Sequence, residues 1–307
     1  MAARKKLSNI HWDSIVGGID NDRCVPFLGA GANAGTDLPM GSEVARYLLE
    51  KLLDRKVATI DDLVEVKPKA ALKNYPDLGR ARVDDLARVA LHIELEGGNP
   101  AVVRYLKEVI VEKGRKPAEI LRVLARLPFK LIITTNYDCM LEHAFKLEKQ
   151  PRAGVLSQPI DGFTPAQVEE WQPRLAGDER IIYKLHGSFD DETTNLVVSE
   201  DDYIEFLGIA SNEKLGVPNQ VRERIKSGVV LFLGYGLEDW DVRTMHKLLI
   251  GSKESRDRDR SFAIQWNPTP FWVQFWERKD VTIYNMDLAE FAGQLEAEYG
   301  KRSKRGD

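Results

Sequence analysis

Residues 128–138 read Pro-Phe-Lys-Leu-Ile-Ile-Thr-Thr-Asn-Tyr-Asp, and their reading decides the fold. Leu131, Ile132 and Ile133 form the short continuous apolar run required of a strand covered on both faces. Directly behind it stand two hydroxyls, an amide and a carboxylate, on Thr134, Thr135, Asn136 and Asp138. Polar groups gathered at a strand's exit suit the ligand crevice of an open α/β sheet. Asn136 and Asp138 equally suit the cap of a helix starting near Met140, and the stretch alone leaves both readings open.

Working outward, three other apolar runs end in polar or glycine-rich turns. Val25-Pro-Phe-Leu-Gly-Ala-Gly-Ala-Asn-Ala-Gly35 is a short run feeding a turn with Gly29, Gly31 and Gly35. Pro26 fits an opening or edge position there better than the middle of a ladder. The small residues would let backbone amides approach a phosphate, with a helix predicted at about 42–53 pointing its positive end that way. A sharp turn without a ligand explains the same residues, and the third glycine falls one place late for Gly-x-Gly-x-x-Gly. Arg180-Ile-Ile-Tyr-Lys-Leu-His-Gly187 gives a second strand and turn, with His186 at its exit. A neutral imidazole can serve there as a base, while a single histidine is also compatible with a structural place. Gly228-Val-Val-Leu-Phe-Leu-Gly-Tyr-Gly-Leu237 is a third buried strand with a tight turn. Glu238, Asp239 and Asp241 follow it. Their charges suit a helix N-terminus as well as a metal, and no metal is assigned to them.

The intervals fill in the architecture. From about 40 to 127 the periodicity is helical, with Val44, Tyr47 and Leu48 on one face and Val89, Ala90 and Ile93 on another. Pro68, Pro76 and Gly97-Gly98-Asn99-Pro100 divide this stretch into several helices. Residues 151–165 read as irregular. Strands are expected at about 261–266 and 281–284, and helices at about 140–149, 242–249 and 288–299. The aromatic run Pro270-Phe-Trp-Val-Gln-Phe-Trp276 suits core packing or an oligomer contact, and the basic end from about 300 to 307 suits a solvated tail. Strand, polar turn and helix in alternation predict an α/β fold: a Rossmann-like parallel sheet with an inserted helical lobe, in one unit spanning 1–307.

Composition narrows the function classes. Of 307 residues, 43% are hydrophobic and 30% charged, with a net charge of -4, so overall charge gives no argument for nucleic-acid or bilayer binding. Cys24 and Cys139 are the only cysteines, too few for a four-cysteine zinc site or a disulfide framework. No apolar segment reaches membrane-spanning length, and Met-Ala-Ala-Arg-Lys-Lys lacks the apolar core of a signal peptide, so a cytoplasmic location is expected.

Gly29-Ala-Gly31, Thr134-Thr-Asn-Tyr-Asp138, Lys184-Leu-His-Gly187 and Gly234-Tyr-Gly-Leu237, in that order, resemble the SIR2-like (sirtuin-like) family. The resemblance is to its divergent bacterial branch of NAD-consuming defence proteins and covers roughly residues 20–290. It implies an NAD+ pocket in which Gly29, Ala30, Gly31 and Asn33 meet the dinucleotide. Asn136 would be the catalytic asparagine and His186 the catalytic histidine, with Asp138 on the nicotinamide side, Gly234 and Tyr235 beside the dinucleotide, and Thr135 a further NAD+-binding residue. Several positions depart from the deacetylase pattern. Thr135 stands where glutamine is usual, no Phe–Arg pair follows Pro39-Met-Gly41, and Tyr235 and Gly236 replace threonine and serine. The resemblance therefore implies NAD+ hydrolysis to nicotinamide and ADP-ribose, with NAD+ as substrate and no separate cofactor or metal. NAD-dependent protein deacylation and a noncatalytic nucleotide-binding module are the alternatives. As partners it implies a homo-oligomer and a defence-system ATPase or nucleic-acid-guided sensor, with no membrane.

Overall fold

The computed structural model describes residues 7–52, 85–110, 115–191, 196–212, 214–238, 240–249 and 261–302. Among them, seven strands form one sheet in the order β3-β4-β2-β1-β5-β6-β7, every pairing parallel. The strands are β1 (Cys24–Leu28), β2 (Leu131–Thr134), β3 (Gly154–Ser157), β4 (Ile181–Lys184), β5 (Val229–Leu233), β6 (Ser261–Gln265) and β7 (Val281–Asn285). β1 lies at the centre. On one side the chain lays down β2, then the edge strand β3, then β4 between them, and it returns to the other side of β1 with β5. The connections that leave neighbouring strands β1 and β5 therefore run to opposite sides of the sheet, and at such a switch point an open α/β sheet has its crevice, outside the carboxyl ends of the strands.

Period-two alternation sends each strand's side chains to opposite faces, and both faces are covered. Val229, Leu231 and Leu233 join a cluster with α1 (Asn9–Asp20), α4 (Glu119–Arg126), α5 (Met140–Leu147) and α11 (Leu288–Arg302). Val230 and Phe232 join the opposite cluster, which includes Leu175 of α6 (Pro165–Ala176), Phe206 of α7 (Glu200–Ala210), Ile225 of α8 (Asn219–Ser227), Met245 of α9 (Trp240–Leu249) and Trp276 of α10 (Pro270–Glu277). A third cluster joins α2 (Gly41–Leu52) to α3 (Leu86–Val109) through Val44, Tyr47, Leu48, Val89, Ala90 and Ile93. α3 is broken at Gly98, whose φ of 71° interrupts the helix inside the Gly-Gly-Asn-Pro sequence. Pro68 and Pro76 lie outside the described residues, as does the charged 251–260 stretch.

Two expectations are corrected. Pro26 sits in the middle of the central strand, not at an edge. Gly29 N–H donates to Leu233 on β5, whereas Leu28 C=O accepts from Thr135 on the β2 side, so alternate residues of β1 face alternate neighbours. Pro26 accordingly turns its donorless nitrogen toward β2, and β1–β2 pairing begins only at Phe27, so no ladder bond is lost. The 151–165 stretch holds β3, a four-residue edge strand paired only with β4. One neighbour suffices for an edge strand, and its alternate positions Val155 and Ser157 are only half-buried, which leaves little apolar run to recognise.

α11 continues through Arg302, whose guanidinium binds Glu298 and Asp13. The aromatic run forms α10, with Trp276 fully buried and donating to the Leu237 carbonyl at 2.9 Å, while Phe271 is 65% exposed. No helix among the described residues is long and apolar enough to cross a membrane.

Candidate active site

The crevice at the carboxyl ends of β1, β2, β4 and β5 is a cavity of about 660 Å³, within the range of small-molecule and cofactor sites. Nine of the ten sequence-selected residues line it: Ala30, Gly31, Asn33, Thr135, Asn136, Asp138, His186, Gly234 and Tyr235. Gly29 lies just beneath, reached through its carbonyl.

The floor is made by two glycine turns packed backbone to backbone. Gly29 N–H donates to Leu233 O at 3.0 Å and Gly31 N–H to Gly234 O at 2.9 Å. A Cβ on Gly29 would stand 2.7 Å from Gly234 O and 2.8 Å from the Tyr235 ring; one on Gly31 would stand 2.8 Å from Gly234 O. Gly234 itself has φ of 76° and faces the Ala32 nitrogen. The glycines thus permit β1 and β5 to meet. The Gly29 and Gly31 amides are used in that junction, which agrees with the sharp-turn reading of these glycines, while Gly31 still lines the cavity. A 3₁₀ turn, Ala30–Asn33, follows at once, while Gly41 and Ser42 bring the start of α2 to the cavity wall. Tyr235 fixes the junction: its hydroxyl donates to Leu28 O at 3.0 Å and lies 2.9 Å from Thr135 Oγ1.

The two readings of Asn136 and Asp138 separate here. Asp138, one residue before the cap position Cys139, serves the helix start, since its Oδ1 accepts from Met140 N–H at 3.0 Å, and its Oδ2 also accepts from Asn33 Nδ2 at 2.9 Å. Asn136 does not. Its backbone N–H donates to Thr134 Oγ1 at 3.0 Å, and its side-chain amide donates to Gly29 O at 3.2 Å.

His186 follows β4 and is 2% exposed. Its ring stands edge-on to Tyr203 and Phe206, with centroids 5.1 and 5.3 Å away. Burial among these rings lowers its pKa to about 3, so the imidazole is neutral at physiological pH. Its Nε2 has no hydrogen-bond partner among the described residues, nor does buried Asn33 Oδ1. Both residues line the cavity, and each keeps a buried polar atom unpaired beside it, a feature of a native structure that calls for an explanation. The imidazole can accept a hydrogen bond from a hydroxyl or a water, but it is a weak base while it stays buried beside Tyr203 and Phe206.

Sequence reasoning missed the far wall, where Met40, Ser42, Asp85 and Ile110 contribute from the α2–α3 pair and Tyr203 from α7. Helical periodicity identified the packed faces of α2 and α3 but not which end looks into the crevice. For Tyr203 there was no signal. Lys184, fully buried below the site, carried one: a lysine within the apolar run Ile-Ile-Tyr-Lys-Leu. Among the described residues, no group of three His, Cys, Asp or Glu side chains can hold a metal; Asp239 and the Asp241 side chain lie outside them.

Residues 130–284 match the model of the SIR2-like domain, a stretch just over half of the chain. Defense-associated sirtuin 2 of Bacillus subtilis is 25% identical over 292 residues, covering 92% of this chain and 25% of that protein. NAD(+) hydrolase ThsA of Enterococcus faecium is 26% identical over 129 residues, covering 40% of this chain and 23% of that protein. The chain thus spans about a quarter of the length of the curated relatives it matches. A crystal structure of Sir2 with an inhibitor, 2'-O-acetyl-ADP-ribose and a deacetylated peptide aligns at a TM-score of 0.37 and 16% identity, covering 90% of this chain and 94% of that one.

Proposed function

The chain belongs to the SIR2-like domain family, and from that premise we propose that it is an NAD+ hydrolase acting in bacterial antiviral defence by NAD+ depletion. The observation that carries the reading is the meeting of Asn136 and His186 on one cavity that leaves His186 Nε2 and Asn33 Oδ1 without partners. The names of the two relatives, one a defence-associated sirtuin and one an NAD(+) hydrolase, support it.

In the proposed reaction the bond between nicotinamide nitrogen and ribose C1' breaks, and its electron pair leaves with nicotinamide, discharging the pyridinium. C1' acquires oxocarbenium character, water adds to it, and the water's second proton passes to solvent, giving nicotinamide and ADP-ribose. Asn136, held by the Gly29 carbonyl, has its side-chain oxygen to offer a ribose hydroxyl or the water. Neutral His186 accepts a hydrogen bond from a ribose hydroxyl and so orients the sugar. Asn33 and Asp138, already bonded to each other, form the nicotinamide side, and the glycine turns with Ala30, Thr135 and Tyr235 form the floor beneath the dinucleotide.

The protein works in the cytoplasm as a homo-oligomer, in this reading, and its turnover is held in check by a larger assembly with a defence-system ATPase or nucleic-acid-guided sensor. Residues 1–307 act as one catalytic unit with a helical lobe at about 40–127. Incubation with NAD+, alone and with candidate partners, should release nicotinamide and ADP-ribose in equal amounts. Product formation that depends on acetyl-lysine would replace this reading with deacylation. Protection by NAD+ without nicotinamide release in any assembly would leave a binding module.

A further inference from the structure

Lys184 is the last residue of β4 and its side chain is wholly buried. An ammonium has three protons to place, and each has an acceptor: Asp138 C=O at 2.6 Å, Ser188 Oγ at 3.1 Å and Glu142 Oε1 at 2.8 Å. The first acceptor belongs to the turn that carries Asn136, the second to the turn that carries His186, and the third to the opening of α5. Cys139 Sγ lies 3.8 Å away. Burial pulls the lysine's pKa down, but Glu142 and its neighbours outweigh that and hold it above the ordinary value, so the group is charged.

We propose that Lys184 is a positioning residue whose three-pronged ammonium locks the Asn136–Asp138 turn and the His186–Ser188 turn into one frame. Stability alone does not call for a charge here, because well-packed apolar residues often replace a buried ion pair without loss. What an apolar residue cannot do is hold a main-chain carbonyl of one turn and a hydroxyl of the other at once. The two turns are also tied by Phe189 N–H donating to Tyr137 O at 3.0 Å, so removing the lysine loosens the frame without severing it. The inference deepens the hydrolase reading and rests on it for its kinetic consequence, but its geometric consequence stands apart.

The test compares Lys184→Met with Lys184→Met/Glu142→Met, which removes both charges and leaves no unpaired carboxylate. In the double variant thermal stability should return toward wild type while kcat for nicotinamide release stays about 100-fold down, the scale of loss expected from a misplaced reacting group, and KM moves by less than about threefold. Hydrogen exchange should quicken in residues 136–138 and 186–188 and not across the sheet. Recovery of kcat together with stability would overturn the proposal, since a purely structural lysine predicts that pattern. Should the wild type release no nicotinamide, the hydrolase reading fails by itself. Exchange in the two turns then decides the positioning role: quickened exchange there supports it, and unchanged exchange sinks it.

Discussion

Asn136 donates its side-chain amide to the main-chain carbonyl of Gly29, 3.2 Å away across the junction of β1 and β2. The residue is therefore aligned by the first glycine turn as well as by its own loop, and that turn is held by Gly234 and Tyr235 of β5's exit. Three strands cooperate to present one amide.

Gly29→Ala tests that cooperation. The added methyl meets Gly234 O at 2.7 Å and the Tyr235 ring at 2.8 Å, and the backbone atom cannot swing away as a flexible side chain would. Overpacking of this kind should cost about 2 kcal/mol of stability. It should also lower nicotinamide release in the folded fraction, because the carbonyl that holds Asn136 shifts with the turn. Denaturant titration and turnover at matched folded concentration check both parts; wild-type values in each would remove the turn from the site.

Asn136→Ala and His186→Ala should each reduce nicotinamide release by about 100-fold or more while the sheet stays folded, if their contacts strengthen in the transition state. Cys24→Ala is the control. Its thiol is buried, outside the cavity, and pushed far above the ordinary thiol range by burial, so hydrolysis should persist even where packing loss lowers stability. Near-normal hydrolysis by the two site variants, with circular dichroism of the wild type, would rule out the pair.

The pH dependence of stability follows from His186. Its folded pKa, lowered by burial to about 3, lies below the ordinary value near 6.5, so between those limits the unfolded chain binds a proton that the folded chain does not. The group's contribution is thus fully present above about pH 6.5 and is lost as pH falls toward about 3, with a limiting slope of about 1.4 kcal/mol per pH unit. His186→Gln should flatten unfolding free energy between about pH 4.5 and 6 by most of that slope. Parallel curves for variant and wild type would show that the imidazole is not held neutral.

The sheet was readable because a parallel sheet covered on both faces writes itself as apolar runs, and β2 and β5 are such runs. β3 was not, since an edge strand with half-buried alternate positions has no such run to show. The exits of β1, β2, β4 and β5 were legible as polar or glycine turns, but their convergence was not, because strand order lies in pairings between residues more than 100 apart, such as Phe27 with Ile133. Pro26 misled for a related reason: which neighbour a strand residue faces is decided by register. Asp138 showed that two readings of one residue need not compete, since one carboxylate oxygen binds the first amide of α5 while the other holds Asn33.

Arg180 separates what holds the fold from what lines the site. It precedes β4, at the end of the sheet opposite the cavity, and is lodged beneath the C-terminus of α4. Its guanidinium donates to Leu124 O at 3.0 Å, Ala125 O at 2.8 Å, Leu127 O at 2.7 Å and Phe129 O at 3.1 Å, so four carbonyls around the end of α4 share one cation. It also stacks over Phe145 at 4.3 Å. Burial lowers its pKa to about 10, which still leaves it charged at neutral pH and favourably placed at the negative end of the helix. Arg180→Met strands those carbonyls in a half-buried place and should cost about 2 kcal/mol, on the scale of a lost hydrogen bond to a charged group. Arg180→Lys keeps the charge but lacks the planar fork, and should recover only a part of that loss. Turnover per folded molecule should stay within about twofold of wild type in both, because the defect is confined to the amino end of β4 and distant independent sites behave additively. Chemical denaturation and nicotinamide release measured on the same samples test the separation. A stable Arg180→Met protein would refute the capping role, and a stable fold with lost turnover would tie this end of the sheet to the chemistry.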